Sequence, residues 1–225
     1  MTPKKGILPY ACQTIDDSDV AAVVDVLRSD WLTTGPVVEM FERAVAEYVS
    51  APHAVACSSG TAALHLAALA LELGPDDHVV VPTNTFLATA NAIRFVGAEV
   101  IFADVDPENG LMGVEHLAQA LESNADKRIT AVFPVHFAGQ PANPVDIAAV
   151  AHERGLSVVE DASHALGTLY GDEESPAAVG ACRHADMTTF SFHPVKTIAC
   201  GEGGMVTTRD SQFFERLKLF RNHGM

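Results

Sequence analysis

The stretch "HAVACSSGTAALHLAALALEL", residues 53–73, combines an apolar segment, a short polar turn and a helix-forming segment in direct succession. Residues 53–58 predict a strand, and the alanine- and leucine-rich residues 61–73 predict a helix. Gly60 lies in the turn between them. A strand that passes through a glycine turn into a helix is typical of α/β proteins, so this stretch predicts an α/β fold.

The same alternation continues along the chain. Six further strands are predicted at "HVVVP", "AEVIFAD", "RITAVFPV", "LSVVED", "DMTTFSF" and "GMVTT", with further helices over residues 85–96, 114–122 and 144–154. Strands that are apolar throughout are typical of a largely parallel sheet that is buried on both faces. The last two strands are too close for a helical crossover, which predicts an antiparallel hairpin. We interpret "YGDEESPAAVGACRH" as the longest irregular loop.

Amphipathic helices are predicted before this region and after it. "DDSDVAAVVDVLRSD" aligns Val20, Val23, Val24 and Leu27, and "GPVVEMFERAVAEYVS" aligns Val38, Phe41, Val45, Tyr48 and Val49. "SQFFERLKLFRNHGM" predicts a final helix. We therefore divide the chain into an N-terminal helical segment, residues 1–50, and a large domain, residues 51–225, within one structural unit.

Composition narrows the classes of function. The 225 residues are 48% hydrophobic and 19% charged, which suits one sizeable α/β domain. The formal charge of −15 disfavours nucleic acid and anionic membranes as partners. The four cysteines lack metal-ligand spacing, and we find neither a secretory signal in "MTPKKGILPYACQ" nor an apolar run of membrane-spanning length. These features predict a cytoplasmic protein without a metal site.

The first candidate site is the turn itself. A glycine turn at a helix N-terminus presents unpaired N–H groups and the positive end of the helix dipole to a phosphate. The hydroxyls of Ser59 and Thr61 add possible donors. Taken alone, these residues are better explained as an ordinary helix N-cap.

Asp161 and His164 follow the strand "LSVVED". Ligands of α/β sheets bind at the carboxyl ends of strands, and a buried carboxylate there needs a cationic partner such as a protonated ring nitrogen. The alternatives are a helix N-cap for Asp161 and a structural role for His164.

Lys196 follows the strand "DMTTFSF" and lies between the apolar residues Val195 and Ile198. Such surroundings lower the pKa of a lysine and make its amine a nucleophile and a proton carrier, whereas the alternative is an ordinary surface lysine. A phosphate cradle, a strand-end acid and a desolvated lysine together match the needs of pyridoxal 5'-phosphate (PLP). Phe86 is available to cover the cofactor ring, unless it is a plain core aromatic.

The sequence resembles the DegT/DnrJ/EryC1/StrS family of sugar-nucleotide aminotransferases, which are fold-type I PLP enzymes. The similar blocks are "DWLTTGPVVEMFE", "VACSSGTAALHLA", "VPTNTFLATANAI", "VFPVHFAGQP", "VEDASHALG" and "SFHPVKTIACGEGG". This resemblance implies the three-layer, mostly parallel sheet of the aspartate aminotransferase-like large domain, with residues 51–225 as the PLP-binding part. It also implies a smaller C-terminal domain beyond the "NHGM" position, which this sequence does not include.

The resemblance also implies roles for individual residues. Lys196 matches the lysine that holds PLP covalently and moves a proton, and Asp161 matches the acid that holds the pyridine nitrogen. The other matched positions are Gly60, Thr61 and Ser191 at the phosphate, Phe86 stacked on the ring, His164 on the ring's other side, and His193 in a supporting position. Related sugar dehydratases have histidine in place of this lysine, so Lys196 argues for transamination.

The implied reaction is transfer of an amino group, from glutamate, to the C4 keto group of a UDP-linked 4-keto-6-deoxy-N-acetyl hexose by a homodimer. "SHALG" and "SFHPVK" are most similar to the branch of the family that leads to pseudaminic acid. A GDP- or dTDP-linked keto sugar and a non-catalytic PLP-binding protein are the alternatives. An α/β scaffold without a cofactor leaves the convergence around Lys196 unexplained.

Overall fold

The computed structural model describes residues 11–224, so the prediction for residues 1–10 lies outside the described range. The helices are α1 (Asp17–Arg28), α2 (Pro36–Val49), α3 (Gly60–Ala70), α4 (Leu87–Phe95), α5 (Val114–Ser123), α6 (Pro144–Glu153) and α7 (Ser211–Arg221). The strands are β1 (His53–Cys57), β2 (His78–Pro82), β3 (Glu99–Ala103), β4 (Ile129–Val132), β5 (Ser157–Asp161), β6 (Leu169–Tyr170), β7 (Ala177–Ala178), β8 (Met187–Ser191) and β9 (Gly204–Thr208).

Seven of these strands form one sheet in the order β1-β9-β8-β5-β4-β2-β3. Strand β9 runs antiparallel to both of its neighbours, and all other neighbouring pairs are parallel. The structure therefore confirms the mostly parallel sheet and the antiparallel hairpin of β8 and β9. Since β9 is antiparallel to both β1 and β8, β1 runs in the same direction as the parallel strands. The carboxyl ends of β1, β2, β4, β5 and β8 therefore lie at the same end of the sheet.

Helices cover both faces of the sheet. Residues Val79 and Val81 of β2 pack with α3, α4 and α7 on one face, whereas Val80 packs with α5 and α6 on the other. Helix α2 lies on this second face and packs through Val45 and Val49. The alternation of side chains along each strand explains why strands that are apolar throughout form the middle layer of a three-layer α/β structure.

Three details differ from the sequence-based expectations. Helix α1 forms, with a capping box between Asp16 and Asp19, but none of its residues is buried within the described part of the chain. Tyr48 is 64% exposed and therefore does not belong to the packed face of α2. The loop at residues 170–184 is not entirely irregular, because it contributes to the small β6–β7 hairpin. The division of the chain at residue 50 stays a prediction.

No helix within residues 11–224 has the length and hydropathy that a membrane crossing requires.

Candidate cofactor-binding site

A cavity of about 510 Å³ opens where the carboxyl ends of the parallel strands meet. Its walls contain all eight residues that the sequence predicts for the site: Ser59, Gly60, Thr61, Phe86, Asp161, His164, Ser191 and Lys196. They come from five separate segments, and the topology of the sheet brings these segments together. His193, for which only a supporting role is predicted, also lines this cavity.

The N-terminus of α3 forms one wall. The Ser59 hydroxyl oxygen accepts a hydrogen bond from the Ala62 N–H at 3.1 Å, so the N-cap interpretation is correct for this side chain. Gly60 is the first helical residue, and a β-carbon there would lie 2.6 Å from the β-carbon of Ser191. Glycine therefore lets the end of β8 approach the helix start. Since the first N–H groups of a helix lack intrahelical partners, this wall suits an anion.

Gly204 of β9 packs against the start of α3, a contact that the sequence does not predict. A β-carbon at Gly204 would overlap the carbonyl group of Ser59 and lie 2.9 Å from the Gly60 nitrogen. Strand β9 and the start of α3 therefore touch through their backbones. The glycines of "GEGG" indicate a position where backbone can approach closely. The partner becomes apparent only from the pairing of β9 with β1 and β8.

Asp161 ends β5 and is only 4% exposed. Its Oδ1 accepts hydrogen bonds from the Ser163 hydroxyl at 2.7 Å and the Ser163 N–H at 3.1 Å, and its Oδ2 accepts one from the Thr89 hydroxyl at 2.6 Å. Residues 162–168 form turns and extended backbone, so the alternative of a helix N-cap is wrong. An ionised carboxylate only accepts hydrogen bonds, and its remaining lone pairs suit a protonated ring nitrogen.

Lys196 lies in the connection between β8 and β9 and is half-buried. Burial lowers the pKa of its amine, and the nearby Asp161 carboxylate acts in the opposite direction. This is the direction that the sequence predicts, and desolvation is the predicted cause. Of the two apolar neighbours, Val195 lines the same cavity as Lys196, whereas Ile198 is 52% exposed.

Phe86 and His164 have different surroundings. Phe86 precedes α4 and is 75% exposed, which excludes a plain core aromatic and leaves its ring available at the cavity. The His164 Nδ1 accepts the Ala138 N–H at 3.3 Å. Burial is the main cause that lowers the His164 pKa, and the positive charge of Lys196 lowers it further, whereas Asp161 raises it. The lowered pKa favours the neutral form of the ring.

Sequence reasoning missed three buried polar residues around Asp161. Thr89 donates to its carboxylate, as described above. His136 lines the cavity, accepts the Ala142 N–H through Nδ1 at 3.1 Å, and places Nε2 3.6 Å from Glu160 Oε1. The Thr188 hydroxyl donates to Glu160 Oε2 at 2.8 Å. These partners are 24 to 72 residues apart in sequence, so no local pattern could have predicted them.

The three-layer α/β structure, with polar groups that converge at the strand ends of its sheet, has the architecture of the PLP-dependent aminotransferases. The family model described as "DegT/DnrJ/EryC1/StrS aminotransferase family" matches residues 13–225. The chain belongs to this family.

Solved structures agree with this assignment. The chain is 34% identical to DesI, solved in the presence of its TDP-sugar product, with a TM-score of 0.86, and the match covers 99% of this chain and 54% of DesI. It is 32% identical to Helicobacter pylori PseC, an aminotransferase involved in the biosynthesis of pseudoaminic acid, with a TM-score of 0.84 over 96% of this chain and 56% of PseC. It is 30% identical to the PLP form of Spr1654 from Streptococcus pneumoniae, with a TM-score of 0.85 over 94% and 57%. The chain thus spans about half the length of these proteins.

The described residues fit PLP. Gly60 lets Ser191 pack against the start of α3, so the helix N–H groups and the Ser191 hydroxyl can face the same phosphate. The Asp161 carboxylate and the Lys196 amine lie in the walls of the same cavity. These groups therefore provide a partner for the phosphate, for the ring nitrogen and for the aldehyde of the cofactor.

Proposed function

We propose that this chain is the PLP-binding part of an aminotransferase that transfers an amino group to a nucleotide-linked keto sugar. The observation that supports this proposal most strongly is the convergence of Lys196, Asp161 and the N-terminus of α3 on one cavity. Any one of the three has an ordinary structural explanation. An amine of lowered pKa, a buried carboxylate and a helix start around one cavity have a common explanation in a single anionic, aromatic aldehyde.

The binding roles follow from the surroundings of each group. PLP, when bound, supplies an electron sink for the electrons of the bond that breaks during amino transfer. The N–H groups at the start of α3 and the Ser191 hydroxyl hold the phosphate, and Asp161 accepts the N–H of the pyridine ring. Phe86 and His164 cover the two sides of the ring.

Lys196 is the proposed catalytic residue. Its amine would hold the cofactor at the aldehyde carbon, where the carbonyl oxygen would leave as water, and only an uncharged amine is nucleophilic. Burial lowers the pKa of Lys196, which increases the uncharged fraction at a given pH. The same amine, once released, is positioned at the cavity to take up and return a proton as a general acid–base group.

For the substrate, we propose the C4 keto group of a UDP-linked 4-keto-6-deoxy-N-acetyl hexose, with glutamate as the amino donor. The likeness to PseC and the blocks "SHALG" and "SFHPVK" support this choice. A dTDP-linked keto sugar is the second candidate, because DesI was solved with a TDP-sugar product. Competition between UDP- and dTDP-linked keto sugars in a single-turnover amino-transfer assay distinguishes the two. We further propose that the protein acts as a cytoplasmic homodimer, and light scattering tests the dimer.

The first experiment is an absorbance titration of the purified chain with PLP. We expect a visible band that the variant Lys196→Ala abolishes, because the alanine lacks the amine that attaches the aldehyde. Lys127→Ala is the matched control, since Lys127 is an exposed lysine far from the cavity walls and PLP reacts with accessible amines in general. Glutamate should then bleach the band of the wild-type chain as the cofactor accepts the amino group.

Three results separate the alternatives. A band that persists in Lys196→Ala contradicts the role of Lys196. A band that requires Lys196 but does not respond to glutamate supports the non-catalytic PLP-binding protein. The absence of any specific band contradicts the cofactor assignment for this chain.

A further inference from the structure

Thr89 lies in the first turn of α4 and is completely buried. It does not line the cavity, yet its hydroxyl oxygen is 2.6 Å from Asp161 Oδ2. The same oxygen is 2.7 Å from the hydroxyl oxygen of Thr85, which does line the cavity. The three side chains therefore form a hydrogen-bonded chain from the cavity wall to the strand-end acid.

The chemistry of the carboxylate fixes the direction of this chain. An ionised Asp161 only accepts, so the Thr89 proton points to Asp161. The Thr89 oxygen then has only acceptor capacity left for Thr85, whose proton points to Thr89 over 2.7 Å in preference to the Phe86 carbonyl oxygen at 3.2 Å. Each donated bond increases the polarity of the next, so Thr85 strengthens the bond that Thr89 makes.

Both oxygens of Asp161 are held by this arrangement. Ser163 holds Oδ1 from the turn that follows β5, and Thr89 holds Oδ2 from α4. Among the described residues, Thr89 is the hydrogen-bond donor to Oδ2. Rotation about the Cβ–Cγ bond of an aspartate has only weak intrinsic preferences. Without the Thr89 donor, Ser163 alone would orient the Asp161 carboxylate.

A threonine hydroxyl inside a helix often bonds to the carbonyl oxygen one turn earlier. In α4 the Thr89 hydroxyl instead bonds to a residue that is 72 positions away in sequence. The first turn of α4 is thereby attached to the carboxyl end of β5, directly beside the cavity.

We propose that Thr89 is a positioning residue for the cofactor ring nitrogen and that it acts through Asp161. This inference rests on the proposed function, because it assigns to Asp161 the ring nitrogen of PLP. Through its 2.6 Å hydrogen bond to Oδ2, Thr89 orients the carboxylate so that its free lone pair faces the ring.

The test compares two ligands on the full chain: PLP and its carbocyclic analogue, in which a CH group replaces the ring nitrogen. Thr89→Val removes the hydroxyl and keeps the branched shape. We expect PLP to bind about tenfold more weakly to Thr89→Val, in line with the typical contribution of a hydrogen bond to a charged group. The affinity for the analogue should not change. Fluorescence titration measures both.

Thr207→Val is the matched control. Thr207 is also completely buried, and its hydroxyl donates to the Gly180 carbonyl at 2.8 Å, away from the cavity. It should leave the affinities for both ligands unchanged. If Thr89→Val does not fold, Thr89→Ser and Thr89→Ala make the same comparison, because they share the loss of the methyl group and differ in the hydroxyl. Thr89→Ser should then bind PLP about tenfold more tightly than Thr89→Ala.

The outcomes distinguish this inference from the proposed function. Equal weakening of both ligands in Thr89→Val shows a general structural effect and overturns the positioning role, as does unchanged PLP affinity. Wild-type binding of PLP and the analogue with equal affinity overturns the contact between Asp161 and the ring nitrogen. Failure of the wild-type chain to bind PLP overturns the proposed function together with this inference.

Discussion

Two walls of the cavity are built in opposite ways. The Asp161 wall is formed by the end of β5 and Ser163. Asp161 is buried in it, and both of its carboxylate oxygens accept hydrogen bonds, from Ser163 and from Thr89 behind the wall. The Lys196 wall is the connection between β8 and β9, residues 192–203, and residues 197–202 of it are exposed. Within the described residues, the Lys196 amine is influenced by the Asp161 charge but makes no hydrogen bond of the kind that holds Asp161.

The roles that we propose for Asp161 and Lys196 account for this difference. A group that orients a ring keeps one position, and a network of short hydrogen bonds on a strand end provides it. A lysine that forms and breaks a covalent bond changes partners, which a loop permits. The loop is anchored where it leaves the sheet, because the Phe192 N–H bonds to the Gly203 carbonyl oxygen and the Cys200 N–H to the Phe192 carbonyl oxygen, both at 2.9 Å.

The largest expected effect is at the point where the Lys196 wall joins the helix start. Gly204→Ala places a β-carbon into the Ser59 carbonyl group, and backbone cannot move aside as a flexible side chain can. We expect a loss of about 3 kcal/mol or more in the free energy of unfolding. Gly201→Ala in the same loop meets no atom within 4 Å and has a φ of +82°, so it should cost only about 1 kcal/mol through backbone strain.

Urea denaturation of both variants measures this comparison. Gly74→Ala is the control for the substitution itself, because Gly74 has neither a close neighbour nor a positive φ. If Gly204→Ala and Gly201→Ala lowered the free energy of unfolding by similar amounts, the backbone at Gly204 would tolerate a β-carbon as well as the exposed loop does. That result would contradict the close contact between β9 and α3.

The second prediction tests the Asp161 wall. Asp161→Asn removes the negative charge and keeps the shape, and we expect PLP to bind about 100-fold more weakly because a charged partner of the ring nitrogen is lost. Ser163→Ala removes one of the two Ser163 donors and should weaken PLP binding only about threefold. Fluorescence titration gives both values. An Asp161→Asn variant with wild-type affinity would remove Asp161 from the site.

The contrast between the walls also explains what the sequence could predict. The seven strands of the main sheet, the hairpin of β8 and β9 and the eight cavity residues follow from local patterns and from family blocks, since each cavity residue lies at a strand end, at a helix start or in a loop within a few residues of one. Thr89, His136 and Thr188 escaped prediction, because burial and long-range partners define their roles. The sequence predicts the apolar face of α1 but not its exposure. Periodicity indicates which residues share a face and does not indicate which partner covers that face.

A third prediction concerns the amine. The pKa of Lys196 lies below that of an ordinary lysine because of burial, and the Asp161 charge limits the decrease. Reaction with an amine-directed reagent such as trinitrobenzenesulfonate requires the uncharged amine. The Lys196 rate should therefore reach its plateau at lower pH in the folded chain than in the urea-unfolded chain, and at still lower pH in folded Asp161→Asn.

Peptide mass analysis of the Lys196 peptide over a pH series, in the folded and in the urea-unfolded chain, makes the measurement. The sign for stability follows from the same shift. Unfolded chains keep the Lys196 proton to higher pH than folded ones, so stability increases with pH between the folded and the unfolded pKa. Identical profiles for Lys196 in the two states would contradict the desolvation of the amine.

The smallest expected effect is a change in the pKa of His164, which senses the charges of both Lys196 and Asp161. The positive charge of Lys196 is one cause of the lowered His164 pKa, although burial is the larger one. Lys196→Ala removes this charge, so the His164 pKa should rise towards its ordinary value without reaching it, since burial persists. An NMR titration of the imidazole protons measures the shift, with Lys127→Ala as the control. A His164 pKa that does not move would mean that solvent screens Lys196 from the ring, and the loop would then lie further from the Asp161 wall than the cavity indicates.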